Sequence, residues 1–310
     1  MRVIITGGTG LIGRQLAPRL IREGHEVVIL SRSPESYERR FPEALRPHLI
    51  LRPWNAMNAD GWGDLINKDT VIINLAGENV ANWRWTLTHR RIVLQSRLDT
   101  SRAVSTAIAT APEKPRALLQ ASAVGYYGSR GSMAIGEITT PGDGWRAEVC
   151  KLWEAETETV SAVGVRRVLL RIGIVLDQSG GALPPLLLAA RMMGSRLGSG
   201  QQWVPWVHNA DITNAIVFLI NNSAVDGPVN IVAPAPVTNA ELLRTIGRVH
   251  RWPNLIPVPA TALKLVLGEM ATTVLDSQRI YPSRLLDCGF TFQHSHLEPA
   301  LRDLLNRPKR

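Results

Sequence analysis

The chain has 310 residues with 35 Lys plus Arg against 26 Asp plus Glu, a formal charge of +9, and 45% of its positions are hydrophobic. This composition excludes a disordered or fibrous protein, and at roughly 100–200 residues per domain it leaves room for two domains or one elaborated α/β domain. Of the basic residues 30 are Arg and 5 are Lys, scattered as singles and pairs such as Arg39-Arg40 and Arg166-Arg167. Without a basic run of about 5–8 residues no nucleic-acid partner is expected, and the positive field favours an anionic small molecule instead. No apolar run reaches the roughly 18 residues of a membrane span, and Met1-Arg2-Val3-Ile4-Ile5 lacks a signal-peptide layout. No membrane association is expected, and the chain reads as cytoplasmic. Cys150 and Cys288 have no metal-ligand spacing, so no metal is expected and both are read as buried free thiols.

In chain order, residues 2–6 read as a short β-branched strand, 7–13 as a glycine-rich turn, and 11–23 as a helix with apolar positions at Leu11, Ile12, Leu16, Leu20 and Ile21, closed by Gly24. Buried strands follow at 27–30, 48–52, 71–75, 117–121 and 168–175, with helices at 90–110 and 146–160 between them. This alternation predicts an α/β fold with a Rossmann-like, doubly wound parallel sheet. After Gly173, Gly180-Gly181, Pro184-Pro185 and the stretch 228–236 break the chain into short elements, with helices at 211–221 and 239–250. The expected division is a dinucleotide-binding domain over 1–173 and a smaller, interleaved substrate-binding region over 174–310, with elements near 205–232 returning to the first.

The turn Thr6-Gly7-Gly8-Thr9-Gly10-Leu11-Ile12-Gly13 carries the chemistry. Gly7 allows the tight turn, Gly10 lets a pyrophosphate approach the backbone, Gly13 lets helix and strand pack closely, and the helix N-terminus offers free N–H groups. Thr9, Leu11 and Ile12 complete the cradle. About twenty residues on, where an acid would hold a ribose 2′-hydroxyl, the second strand ends Leu30-Ser31-Arg32-Ser33. A guanidinium with hydroxyl neighbours suits a 2′-phosphate, so the cofactor expected is NADP(H).

With these residues stand Asn74-Leu75-Ala76-Gly77-Glu78-Asn79, Ser96-Arg97-Leu98, Ser122-Ala123-Val124-Gly125-Tyr126-Tyr127-Gly128, Trp153-Glu154-Ala155, Arg171-Ile172-Gly173 and Pro205-Trp206-Val207-His208-Asn209-Ala210-Asp211. Together they cover nearly the whole chain, which resembles the extended short-chain dehydrogenases/reductases, and more closely their atypical branch of epimerase family proteins. The resemblance implies that Asn74, Leu75, Ala76 and Gly77 pass alongside the cofactor's ribose and diphosphate. It also implies that Arg171 and Gly173 border the nicotinamide.

The chain departs from that family at the acid–base pair. Typical members use a Tyr whose phenol is acidified by a Lys four residues later; here Asp64, Thr110, Ala147, Ala260 and Leu305 precede the five lysines at that spacing. The hydroxyl position beside the Tyr is Ala123, with Ser122 one residue earlier. Glu78, Ser122 and Tyr127 are therefore the candidates for moving a proton, with Tyr126 as an alternative to Tyr127. Trp83 and Trp85, with Trp203 and Trp206, are candidate pocket walls. His208 reads as a cap ahead of Asp211 rather than as half of a dyad. Two functions follow: an NADP(H)-dependent oxidoreductase or epimerase-type enzyme on a small, carbonyl or sugar-like substrate, or an NADP(H)-binding sensor without turnover.

Overall fold

The computed structural model describes residues 1–38, 41–80, 85–192, 194–253 and 256–306. Alternating side chains give its main sheet two buried faces. In β1 (Arg2–Thr6) Val3 and Ile5 face one core and Ile4 the other; β2 (Glu26–Ser31) divides Val27 and Ile29 from Val28 and Leu30. With β3 (Leu49–Pro53), β4 (Thr70–Asn74), β5 (Ala117–Ala123), β6 (Arg166–Ile172) and β7 (Gly227–Ile231) they form a seven-stranded sheet in the order β7-β6-β5-β4-β1-β2-β3. Every pairing in it is parallel. The expected doubly wound α/β architecture is the one observed.

The connections are helical. α1 (Gly13–Arg22) follows β1, α2 (Pro34–Glu38) follows β2 and α3 (Leu87–Thr110) follows β4. α4 (Trp145–Ala155) and α5 (Glu158–Ala162) lie between β5 and β6, α6 (Leu183–Met192) and α7 (Asn209–Asn221) between β6 and β7, and α8 (Asn239–His250) beyond. Leu16, Leu20 and Ile21 of α1 share a core with Ile212, Ile216 and Leu219 of α7, while Val104 and Ile108 of α3 cover the opposite face with Trp62. Strand order runs one way from β1 to β3 and the other way from β4 to β7. A crevice therefore opens at the carboxyl ends of β1 and β4, where α/β sheets bind ligands.

Two expected elements are divided. The strand expected over 168–175 ends at Ile172: Gly173 donates its N–H to Ile231, but Ile174 donates to Pro205, so the chain passes into a second sheet. There Ile174–Asp177 pairs parallel with Trp206–His208 and antiparallel with Gly180–Gly181. The helix expected over 146–160 breaks after Ala155, because the Glu154 carbonyl is taken by the Thr157 hydroxyl (3.1 Å) and the Arg167 guanidinium (2.8 Å). These bonds replace the next helical turn.

Beyond the sheet, α6, α8 and the helix Leu297–Asn306 enclose a separate core containing Leu176, Leu183, Trp206, Leu243 and Leu301. Buried Asp211 accepts the N–H groups of Gln293 (2.8 Å) and His294 (2.9 Å), which ties the C-terminal segment to α7. His208 caps α7, its Nδ1 accepting the Ala210 N–H at 3.1 Å. Cys150 is buried, but Cys288 is exposed, contrary to expectation, because it ends the short helix Ser283–Asp287 at a surface turn.

Leu20 is fully buried between α1 and the sheet. Leu20→Ala is expected to lower unfolding free energy by about 2–5 kcal/mol, the usual result of a core cavity. Urea denaturation followed by circular dichroism measures it.

Candidate functional site

The glycine turn is packed against the end of β4. Gly7 lies in the left-handed region at φ 66°, and a Cβ there would stand 2.7 Å from the Leu75 carbonyl; one on Gly13 would stand 2.4 Å from the Gly8 Cα. Only glycine permits both approaches. At Gly10 a Cβ would meet only the Gly7 carbonyl oxygen, at 3.2 Å, and would otherwise enter the open crevice. The N–H groups of Leu11 and Ile12 make no hydrogen bond among the described residues, leaving donors at the start of α1 for an anion. These features fit the diphosphate of a dinucleotide.

The crevice is a cleft of about 1230 Å³. Gly7, Thr9 and Gly10 line it together with Ser31, Arg32, Leu75, Ala76, Gly77 and Glu78, so much of the expected cofactor set meets in one place. Leu11, Ile12 and Gly13 are not among the residues that line it. Asn74 does not reach the cleft with its side chain: fully buried, it accepts from Thr6 (2.5 Å) and donates to Gln120 (2.9 Å), locking β1, β4 and β5 at their ends. The cleft also takes in residues that motif reading missed, among them Arg14, Tyr37, Trp54, Asn55 and Ala56. Ala56 has φ 68°, a conformation uncommon outside glycine, in the loop after β3. No motif marks that loop; its role comes from lying beside the β2 end.

Glu78 is held from α3. Its N–H donates to the Ser96 hydroxyl (3.0 Å), and its carbonyl accepts from Arg97 (3.0 Å), whose guanidinium rests over Trp153 at 4.8 Å. The backbone beside the cleft is thus pinned on both sides.

Ser122, Tyr127, Arg171 and Gly173 are not among the residues lining the cleft. Ser122 donates to Glu154 (2.6 Å), and Arg171 grips the same carboxylate through Nε (2.9 Å) and Nη2 (2.8 Å). Arg171 also donates to the Tyr127 hydroxyl (3.0 Å), which donates to Asn230 (2.7 Å), while the Arg171 guanidinium stacks 3.5 Å from the Tyr126 ring centre. Tyr127 is wholly buried, and burial pushes its phenol up to about 12. A general acid or base near neutral pH needs the opposite shift. Both hydroxyls are engaged in a buried network that joins the ends of β5, β6 and β7.

The expected tryptophan walls have different surroundings. Trp83 lies outside the described residues; Trp85 packs on Trp145 with ring centres 4.7 Å apart, and Trp206 belongs to the separate core. Trp203 carries the Arg279 guanidinium at 4.8 Å. Arg90, over Trp145, pairs with Glu269, and Arg146 pairs with Asp276, so ion pairs join α3 and α4 to the C-terminal segment. Among the described residues, His208, His294 and Asp303 bring possible metal-ligating atoms within 4.8 Å of one another. Because His208 Nδ1 accepts an N–H, its Nε2 carries the proton, and it lies 3.2 Å from the Asp303 carboxylate. That arrangement links α7 to the helix Leu297–Asn306 and leaves no lone pair on His208 for a cation.

A glycine turn at the reversal point of a parallel sheet defines a dinucleotide-binding α/β protein. Residues 3–146 match the NAD dependent epimerase/dehydratase family, and 258–304 match a domain of unknown function, DUF1731. Epimerase family protein YfhF of Bacillus subtilis is 36% identical over 307 residues, covering 98% of both chains. A chloroplastic homologue of SDR39U1 from Arabidopsis thaliana is also 36% identical, over 98% of this chain and 87% of its own. The crystal structure of human epimerase family protein SDR39U1, isoform 2, with NADPH superposes with a TM-score of 0.86 at 33% identity, covering 98% of this chain and 99% of the human one. The chain belongs to the NAD-dependent epimerase/dehydratase family, among its epimerase family proteins.

Two substitutions separate cradle from scaffold. Gly10→Val is expected to fold, since its side chain enters the cleft, but to lose dinucleotide binding by fluorescence titration. Glu154→Gln breaks the buried pair with Arg171 and is expected to cost about 3–5 kcal/mol of unfolding free energy. Denaturant titration reads that loss directly.

Proposed function

We propose that the protein is an NADP(H)-dependent oxidoreductase or epimerase-type enzyme acting on a small polar substrate of carbonyl or sugar-like character. The observation that carries this reading is the continuity of one cleft from the Ser31–Arg32 turn, past the glycine cradle, to Glu78. Arg32 and Ser31 stand where an acid would select NAD(H), and the similar human protein was crystallised with NADPH. Gly7, Thr9 and Gly10 hold the diphosphate against the start of α1, and Leu75, Ala76 and Gly77 support the ribose beside the end of β4.

A bound nicotinamide supplies or accepts the hydride. The protein orients the two reactants, excludes water and moves one proton. Glu78 is assigned that proton, because it is the one of the three expected groups that lines the cleft, and Ser96 and Arg97 fix its backbone. Ser122 and Tyr127 support the strand ends from within. The absence of a Tyr-x-x-x-Lys pair and the commitment of both hydroxyls to the interior also favour a second reading, an NADP(H)-binding sensor without turnover.

Wild type is expected to bind NADPH more tightly than NADH, with Arg32→Ala removing most of the difference, because a charge-assisted contact contributes about 1.5–3 kcal/mol. Titration with both nucleotides checks it; equal wild-type affinities would sink the cofactor assignment. In a panel of small carbonyl compounds at least one is expected to oxidise bound NADPH, and Glu78→Gln to slow that reaction by about 10²–10⁴. Oxidation at the wild-type rate withdraws Glu78. A panel without any substrate, together with a protein partner whose capture depends on NADPH, selects the sensor.

A further inference from the structure

Three arginines line the cleft: Arg14 and Arg22 on α1, and Arg32 in the turn after β2. None is paired with a carboxylate among the described residues, although Arg19, on the same helix but not lining the cleft, pairs with Glu23 at 2.5 Å. A phosphate monoester carries about −1.5 to −2 charges near neutral pH, more than one guanidinium balances. Arg14 is already aimed: its Nη2 donates to the Ser179 hydroxyl at 2.6 Å and, more weakly, to the Ser179 carbonyl at 3.4 Å. Its Nε and Nη1 retain their donors for a ligand.

A second observation comes from Tyr37, which lines the same cleft from α2. The residue is 7% exposed, and its hydroxyl is buried with no hydrogen-bond partner among the described residues. Burial pushes this phenol up to about 12, against the pull of the Arg14 charge nearby. A buried hydroxyl without a partner is a cost to the free protein that an incoming oxygen removes. Tyr37 follows the Ser31–Ser33 turn by one helical turn, which places it on the side of the cleft where a ribose 2′ substituent is read.

Resting on the NADP(H) reading above, we infer that Arg14 is the second cation of the 2′-phosphate site, with the Tyr37 hydroxyl as a donor beside it. Selectivity for the phosphorylated cofactor is then divided between the β2 turn and α1. Arg22 lies eight residues along α1, about 12 Å at the helical rise, and among the described residues makes no contact like that of Arg14 with Ser179, so it serves as the control for charge alone. Its charge contributes only to the general field.

The test uses the full chain and titrates NADPH and NADH against wild type, Arg14→Gln, Arg22→Gln and Tyr37→Phe, with thermal unfolding of each apo protein. Arg14→Gln is expected to weaken NADPH about tenfold or more while changing NADH less than about twofold. Arg22→Gln is expected to change either by less than about twofold. Tyr37→Phe removes only an unpartnered group, so NADPH should weaken about threefold or more without a lower unfolding temperature. Equal loss of both nucleotides in Arg14→Gln, no loss, or a matching loss in Arg22→Gln overturns the assignment. For Tyr37→Phe, unchanged NADPH affinity or a lower unfolding temperature removes that residue from the site. A wild type without preference for NADPH defeats the cofactor reading itself, whereas an intact preference with a silent Arg14→Gln defeats this inference alone.

Discussion

The contact between the glycine turn and the end of β4 is the constraint on which the cleft depends. β1 and β4 are sheet neighbours although two other strands intervene in sequence, so the turn after β1 meets the loop after β4 without any connection between them. That meeting is tight enough to forbid a side chain on Gly7, and Asn74, Thr6 and Gln120 bolt the strand ends beneath it. With the turn so held, Gly7, Thr9 and Gly10 form one wall of the crevice just ahead of α1, and Leu75 to Glu78 form its other wall.

Behind the ends of β5, β6 and β7 the protein uses charge where many cores use hydrocarbon. Glu154, Arg171, Ser122, Tyr127 and Asn230 form a chain of hydrogen bonds across α4, β5, β6, the turn after β5, and β7. Such a network adds little net stability over a well-packed apolar substitute, because desolvation offsets most of the Coulomb attraction. Its directional bonds still fix the relative positions of the elements, and a half-satisfied version would be costly. Arg171, which the resemblance places at a nicotinamide, stands at the centre of this network.

The C-terminal segment is fastened from two sides. Asp211 receives two of its backbone N–H groups beneath α7, and the pairs Arg90–Glu269 and Arg146–Asp276 fasten it to α3 and α4. The first attachment is buried and the second lies near the surface, where salt screens ion pairs. The placement of the C-terminal segment therefore depends on contacts of unequal strength, with the buried anchor the firmer of the two.

Local patterns in the chain determined the alternating strands and helices, the glycine cradle, the Ser31–Arg32 turn and the missing Tyr-x-x-x-Lys pair. Each is written in residues a few positions apart, within reach of propensity, periodicity or spacing. Tertiary structure alone decided where side chains from distant segments meet. Tyr127 reads as a free phenol until Arg171 and Asn230 are seen closing on it, and His208 finds Asp303 rather than the nearer Asp211. The breaks at Gly173 and after Ala155 were likewise hidden, since Pro205 and Arg167 supply the competing hydrogen bonds from elsewhere in the chain. Arg14 and Tyr37 carry no motif either; they belong to one cleft because the sheet sets α1 beside α2. A sequence records which groups a chain owns, but burial and partnership depend on distances that only the packed fold establishes.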